Sequence, residues 1–388
     1  MPLNCLKLLA KSACLVTSVH SSHGDVSIES ADLMASTLFS QLLQSVLNLG
    51  APIEKNGSSH SSGCGQDNWE SGSYSMMHNA IDRHFRVHIP LDYDSQIPTP
   101  LILVFHGWGG GDEEFLGRSI VREELDNRGY IMLAPLGLGA GESRRTYSSW
   151  SFRGSTTGLD GDGLNSNVVG DSVAICDDRA TMDYTYPSCS DTAKNGCGWT
   201  HCLDDDLLFV TEFLKHARNN LCVNDQRVYA VGSSNGGNFI WDLGYNPQTA
   251  DHFAAVASII GLPHRGYNSP PGTENGIPTL LITGSRDRTA PPGEWDDPSF
   301  TTTSDGDVYY YESAASITRS WAEARGCDVS APAKPVNVGR ANFDCRGWDY
   351  CTGNTTWPTV LDCRSEMGHV LNLSESWPLV MDFFDKNR

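Results

Sequence analysis

Gly232, Ser234 and Gly236 form a G-x-S-x-G pattern between an apolar run and a segment whose apolar residues have helical spacing. On a sharp strand-to-helix turn, such a serine is held out at the carboxyl end of a sheet, where its hydroxyl can act as a nucleophile. Glycine fits on both sides because the neighbouring backbone lies too close for a Cβ atom. The alternative interpretation is a glycine-rich turn in which Ser233 or Ser234 only caps the helix.

An acid and a histidine should follow a nucleophilic serine of this kind along the chain. Asp287 lies just beyond the apolar run TLLITG and is the predicted acid, with Asp296 and Asp297 as alternatives. The strand end favours Asp287, because an acid that orients a histidine needs a rigid position. His369 is the only histidine in the last 100 residues and is the predicted base. Together, Ser234, Asp287 and His369 could hydrolyse an ester through a covalent acyl-enzyme.

The stretch LILVFHGWGGG supplies a loop that could hold the negative charge formed on the substrate oxygen. We expect the backbone N–H groups of Trp108 and Asn235 to donate to this oxyanion. His106 and Gly107 precede Trp108 directly. We assign His106 a structural part, in which its ring holds the loop by a hydrogen bond.

Aromatic residues lie in the loops that should surround such a site. Trp150, Phe152 and Trp199, together with Trp108, could form the apolar walls of a slot for a flat aromatic acyl group. The alternative is that they pack inside the protein without contacting substrate.

The elements that must position these residues alternate between buried strands and helices. Apolar or alternating runs predict strands at 84–90, 100–107, 130–135, 227–232, 253–261, 279–284 and 359–363. Helical spacing predicts helices at 204–220, 314–326 and 376–387. This order predicts an α/β protein with a mostly parallel central sheet and helices on both faces. Residues 136–200 show little periodicity and are too long for a simple connection, so we interpret them as a functional insertion.

Composition limits the possible partners and cofactors. The 388 residues carry a formal net charge of −20, which repels phosphate backbones and anionic lipid, so nucleic acid is excluded as a partner. There is no run of 18 apolar residues, so no membrane-spanning segment is predicted. We expect a monomer that needs no cofactor and no metal. A calcium loop at Asp160, Asp162 and Asn165 is a weaker alternative, because the residues between them do not follow the ligand pattern.

Ten of the twelve cysteines lie from Cys64 onward. An even number in a large chain predicts five disulfides and an oxidising, extracellular location, although the pairing cannot be deduced from sequence. The alternative is a zinc site, for which only Cys197 and Cys202 with His201 have suitable spacing. Three sequons, at Asn56, Asn354 and Asn372, agree with secretion, and the chain would then be a glycoprotein.

The chain divides into three predicted parts. Residues 1–24 resemble a signal peptide whose apolar core is interrupted by Lys11. Residues 25–63 contain one amphipathic helical pattern and a Gly/Ser-rich linker, which predicts an extension or propeptide. Residues 64–388 form the predicted catalytic domain.

These motifs resemble those of the secreted esterases that include fungal-type feruloyl esterases and the polyhydroxybutyrate-depolymerase-like group of α/β-hydrolases. The resemblance runs through SSGCG, FRVHIPLDYD, LILVFHGWGG, CGWTHCLDDDLLFV, LCVNDQRVYAVGSSNGG, GSRDRTAPP and GHVLNLSESWP. It implies an α/β-hydrolase fold, an extracellular location, and Ser234, Asp287 and His369 as the catalytic triad.

Differences from the family pattern affect the expected substrate more than the chemistry. Thr283 replaces the usual histidine before the acid loop, Ala290 a valine, and Leu371 an aromatic residue. The tannase-like feruloyl esterases are excluded, because the cysteines they place beside serine and histidine are Ser233 and Gly368 here.

The sequence therefore predicts hydrolysis of feruloyl esters of plant cell-wall polysaccharide, with polyhydroxybutyrate or acetylated xylan as alternative substrates. A hydrolase-fold binding protein without turnover is the alternative of another class.

Overall fold

We analysed the fold in a computed structural model. It describes residues 60–66, 68–140, 146–156, 175–176, 186–189, 198–270, 276–297, 299–303, 309–349, 351 and 357–388. The predicted signal peptide, nearly all of the predicted extension and the candidate calcium loop lie outside the described residues.

A ten-stranded mixed sheet forms the centre of the fold, and two short two-stranded sheets accompany it. The strands are β1 Gly72–His78, β2 Ile81–His88, β3 Thr99–Phe105, β4 Ile131–Pro135, β5 Leu138–Ala140, β6 Thr146–Ser149, β7 Val223–Ser233, β8 Ala255–Ile259, β9 Thr279–Gly284, β10 Phe300–Thr302, β11 Tyr310–Glu312, β12 Lys334–Pro335, β13 Asp344–Gly347 and β14 Val360–Ser365.

The order across the large sheet is β1-β2-β4-β3-β7-β8-β9-β14-β13-β12. The six strands from β4 to β14 in this order pair in parallel, and the two strands at each edge pair antiparallel.

Helices cover both faces of the sheet. Those of the described residues are α1 Ser119–Arg128, α2 Asp206–Asn220, α3 Asn235–Tyr245, α4 Pro247–Ala250, α5 Ala314–Ala324 and α6 Leu373–Lys386. The apolar faces of α2, α3 and α5 belong to one buried cluster, and those of α1 and α6 belong to another. The sheet order and the two helical layers together form the α/β-hydrolase fold, as the sequence predicted.

The central strand β3 is buried on both of its faces. All seven of its residues are buried. Leu101, Leu103 and Phe105 contribute to the first cluster, whereas Ile102 and Val104 contribute to the second. Because neighbouring side chains point to opposite faces and both faces are covered, the strand is apolar from Leu101 to Phe105.

Disulfides join cysteines of the described residues that are between 13 and 158 positions apart in sequence. Four pairs are formed: Cys64–Cys222, Cys189–Cys202, Cys327–Cys351 and Cys345–Cys363. The pairing of Cys202 excludes the zinc alternative, because that site would need its thiolate. His201 instead contacts Asp206, at 2.9 Å between Nε2 and Oδ2.

Two features are absent from the described residues. None of their helices is both long enough and apolar enough to cross a membrane. No group of three or more His, Cys, Asp or Glu side chains among them is arranged to hold a metal ion.

Candidate active site

Ser234 lies on the turn between β7 and α3. Its backbone has φ 48° and ψ −115°, a conformation that a residue with a side chain rarely adopts. A Cβ on Gly232 would overlap the carbonyl oxygen of Gly236, and a Cβ on Gly236 would overlap that of Phe105. The two glycines of the motif are therefore required by the close approach of β7, α3 and β3.

Ser234, His369 and Asp287 form a continuous hydrogen-bonded chain. The Ser234 Oγ lies 2.8 Å from His369 Nε2, and His369 Nδ1 lies 2.8 Å from Asp287 Oδ2. The tautomer that satisfies both contacts carries its proton on Nδ1, which donates to the carboxylate, and accepts from the serine hydroxyl at Nε2. This arrangement allows the histidine to remove the serine proton.

The loop after β9 holds Asp287 rigidly. The Asp287 side chain is buried. Its second oxygen, Oδ1, accepts hydrogen bonds from the backbone N–H groups of Thr289 and Ala290, both at 2.9 Å. The alternative acids are used elsewhere: Asp296 lies 3.5 Å from Arg346, and Asp297 accepts from the Ser299 N–H.

His369 lies in the loop between β14 and α6. Because β9 and β14 are parallel neighbours, their carboxyl ends reach the same edge of the sheet, and the acid and the histidine meet there. A Cβ on Gly284 would overlap the carbonyl oxygen of Met367, so the two loops are also in close contact.

The loop after β3 passes beside the serine. A Cβ on Gly107 would lie 3.4 Å from the Cβ of Ser234, which brings Trp108 to the edge of the site. Asn235 is the first residue of α3, so its N–H has no acceptor in a preceding turn. Its side chain is engaged with the Trp150 backbone, accepting from N–H at 2.7 Å and donating to the carbonyl at 3.2 Å.

His106 holds this loop in place. Its Nδ1 lies 2.7 Å from the Gly107 carbonyl, and the Gly137 N–H donates to its Nε2 at 2.9 Å. Burial lowers the pKa of His106 to about 4, so the ring is neutral near pH 7 and can accept at Nε2. These contacts agree with the predicted structural part of His106.

The three predicted slot residues lie in the protein interior. Trp150 is 0% exposed, Phe152 2% and Trp199 8%, and all three belong to the first core cluster. The Trp150 Nε1 donates to the His106 carbonyl, and the Trp199 Nε1 donates to His264 Nε2. This placement does not fit the prediction that they form the walls of an open slot. The sequence of these loops did not show that the three side chains pack inside the protein.

A different aromatic group includes Trp108, whose loop passes beside the serine. Trp108 stacks on Tyr147, with ring centroids 4.9 Å apart, and its Nε1 donates to the Tyr186 hydroxyl. The Tyr186 hydroxyl in turn donates to the Tyr147 carbonyl at 2.6 Å. Tyr147 is 41% exposed, and Val370, next to His369, is 58% exposed. Tyr147, Tyr186 and Val370 were not identified from sequence, because no motif marks them.

No protein-family model matches this sequence, and no curated protein matches it. Solved structures with a similar fold include an acetyl xylan esterase from Aspergillus awamori, at 13% identity and a TM-score of 0.48, covering 81% of this chain and 99% of that one. Native pOPH is 15% identical with a TM-score of 0.43, over 83% and 89% of the two chains. A ferulic acid esterase is 16% identical with a TM-score of 0.30, over 50% and 60%. Sequence identities this low do not show the activity or the substrate of this chain.

Proposed function

We propose that this protein is a serine-dependent hydrolase of carboxylic esters. The observation that carries the proposal is the chain of two 2.8 Å contacts from Ser234 Oγ through His369 to Asp287. The strained backbone of Ser234 supports it, because strain of this kind is maintained where function requires a side chain to be presented. A hydrolase-fold binding protein would have no need for this arrangement.

In the proposed reaction, Ser234 Oγ attacks the ester carbonyl carbon while His369 Nε2 takes the hydroxyl proton. His369 then gives this proton to the departing alcohol oxygen, which leaves an acyl group on Ser234. A water molecule, deprotonated by His369, then attacks the acyl carbon, and His369 returns this proton to Ser234 Oγ as the acid leaves. Asp287 orients the imidazole ring and stabilises its positive charge during both steps.

The oxyanion of each tetrahedral intermediate would be held by the backbone N–H groups of Trp108 and Asn235. The amino-terminal end of α3 adds the partial positive charge of its dipole at this point. Loss of one such donor typically reduces kcat by about 10²–10³ in serine hydrolases.

Hydrolysis of p-nitrophenyl acetate tests the proposed chemistry. Ser234→Ala should lower kcat by several orders of magnitude without changing the fold, because no nucleophile remains. Asp287→Asn should lower kcat by about 10⁴, because the amide favours the wrong histidine tautomer. Equal activity of wild type and Ser234→Ala would refute the proposal.

For the substrate, we propose feruloyl esters of plant cell-wall polysaccharide. The Trp108–Tyr147 pair supports this choice, because stacked and partly exposed rings beside the nucleophile suit a flat aromatic acyl group. The test compares methyl ferulate, acetylated xylan and a polyhydroxybutyrate film. Methyl ferulate should give the highest kcat/KM of the soluble esters. Clearing of the film alone would contradict the proposal and identify a polyester depolymerase.

We further propose that the protein works outside the cell as a monomer, with residues 64–388 as the catalytic domain. The four disulfides of the described residues support an oxidising compartment. Expression in a eukaryotic host should yield glycosylated protein in the medium, and light scattering should give the mass of one chain. Retention of unmodified protein inside the cell would contradict the location.

A further inference from the structure

Glu114 connects the loop after β3 to the strand that carries the serine. Its Oε1 accepts a hydrogen bond from the Gly107 backbone N–H at 3.0 Å. The same oxygen accepts from the hydroxyl of Ser233. Gly107 directly precedes Trp108, and Ser233 directly precedes Ser234. One carboxyl oxygen thus contacts the neighbour of a proposed oxyanion donor and the neighbour of the proposed nucleophile.

The surroundings of Glu114 leave its carboxyl little freedom. A Cβ on Gly110 would lie 2.5 Å from Glu114 Oε2, so the backbone of the loop closes over the second oxygen. Phe115, the next residue, is buried in the second core cluster and anchors the segment. The carboxyl therefore has a fixed position between the loop and β7.

Charge makes this position costly. Burial raises the pKa of the Glu114 carboxyl, whereas the hydrogen bonds from Ser233 and Gly107 and the positive charge of Arg118 lower it. No arginine, lysine or histidine of the described residues forms an ion pair with Glu114. A partly buried carboxyl that forms no ion pair is unfavourable for stability alone, and such groups concentrate at functional sites.

We propose that Glu114 is a positioning residue, which holds the Gly107–Trp108 peptide and Ser233 together so that the oxyanion donor faces the nucleophile. The inference rests on the serine esterase function proposed above. Glu114 need not touch substrate: it fixes the Gly107 N–H, and the next N–H along the chain, that of Trp108, is thereby aimed at the site. Its acceptor oxygen, and not its charge, is the essential feature.

Three substitutions separate these properties. Glu114→Gln keeps an oxygen at the same distance and removes the charge. Glu114→Asp keeps the charge and withdraws the oxygen by one methylene group. Glu114→Ala removes both. Glu113→Ala is the matched control, because Glu113 is an exposed neighbour that pairs with Arg86 at the surface.

We expect kcat on p-nitrophenyl acetate to fall at least about tenfold in Glu114→Asp and Glu114→Ala, with KM changed less, because a misplaced donor weakens transition-state binding. Glu114→Gln should stay within about threefold of wild type, since its oxygen still accepts both bonds. Glu113→Ala should match wild type.

Inhibition by phenylboronic acid provides a readout that a purely structural residue would not move. The boronate adduct on the serine places a negatively charged oxygen where the oxyanion forms, so its Ki should rise at least about tenfold in Glu114→Asp, while inhibition by the product acid stays unchanged.

The outcomes distinguish the two proposals. If folded Glu114→Asp keeps the wild-type kcat and boronate Ki, the positioning role is wrong while the esterase function stands. If Glu114→Gln loses as much kcat as Glu114→Asp, the charge is essential and the role as stated is also wrong. If wild type and Ser234→Ala are equally inert, the esterase function itself has failed. Circular dichroism before each assay verifies that the variant is folded.

Discussion

The backbone of Ser234 is held in a strained conformation by the residues around it. Strain of this kind costs about 1–3 kcal/mol and persists only where the surroundings fix the chain. The Ser234 N–H donates to the Ile259 carbonyl at 2.9 Å, and its carbonyl accepts from the Asn238 N–H at 2.8 Å. Gly232 and Gly236 permit the close backbone contacts that complete the turn. The motif is thus a consequence of packing as much as of chemistry.

Replacement of Gly236 by alanine tests this requirement. The added Cβ would overlap the Phe105 carbonyl, and backbone cannot give way as a flexible side chain can. We expect Gly236→Ala to lose about 1–3 kcal/mol of unfolding free energy, as overpacked sites do, together with activity. Gly111→Ala is the control, since its Cβ would meet only Leu136 Cδ1 at 4.0 Å. Equal urea midpoints for both variants would contradict the packing argument.

The sequence alone was enough to identify residues that belong to a motif or that follow a fixed order along the chain. Ser234, Asp287 and His369 could be selected because a hydrolase of this type arranges them in a fixed order, and the structure brings them together. Glu114 could not be selected, because its contact with Ser233 spans 119 residues and follows no pattern. The inward packing of Trp150 could not be predicted either, because aromatic residues in loops occur both inside proteins and on their surfaces.

At the scale of elements, parallel strands explain how residues far apart in sequence meet. The strands β3, β7, β8, β9 and β14 are neighbours in that order, so their carboxyl ends share one edge of the sheet. The loop that contains Trp108 follows β3, and the turn at Ser234 follows β7. The loops that contain Asp287 and His369 follow β9 and β14. A site at this edge is expected for an open parallel sheet.

Strands that are buried on both faces were the elements that the sequence predicted best. The strands β3, β4, β8 and β9 were predicted close to their observed bounds, because every residue in each is buried. The edge strand β1 was missed, because six of its seven residues are at least partly exposed and its polar residues hide the alternation. The helix α1 was missed because it buries only Val121 and Leu125.

The disulfides should differ in the stability they provide. Cys64–Cys222 closes a separation of 158 residues, and Cys189–Cys202 closes one of 13. If a disulfide acts mainly by restricting the unfolded chain, replacing each pair by serines should cost about 5 and about 3 kcal/mol respectively. Urea denaturation of the two double variants measures this difference. An equal or reversed order would show that loop length does not determine the effect.

At the scale of the whole molecule, burial of histidines makes stability depend on pH. Burial, and secondly the positive charge of Arg218, lowers the pKa of His252 to about 4 from an ordinary 6.5. Between these values the unfolded chain binds a proton at this residue that the folded protein does not. Above pH 6.5, His252 therefore does not lower the free energy of unfolding. As pH falls from 6.5 toward 4, proton uptake by His252 in the unfolded chain lowers that free energy.

His252→Asn should reduce this pH dependence. Between pH 4 and 6.5, we expect the slope of unfolding free energy against pH to decrease by up to about 1.4 kcal/mol per pH unit. This is the slope that one proton bound only by the unfolded chain produces. The measurement is a series of urea denaturation curves in that range for wild type and variant. Ester hydrolysis should be unaffected, because His252 is not part of the proposed site. Parallel curves for the two proteins would contradict the burial argument.

Covalent labelling tests the central claim most directly. A fluorophosphonate reacts with a serine only when its hydroxyl is activated by a neighbouring base and an oxyanion site receives the phosphoryl oxygen. Folded wild-type protein should gain the mass of one adduct, located by peptide mass spectrometry on Ser234, and Ser234→Ala should gain none. An unlabelled wild-type protein, or a label that persists in Ser234→Ala, would contradict the assignment of Ser234 as the nucleophile.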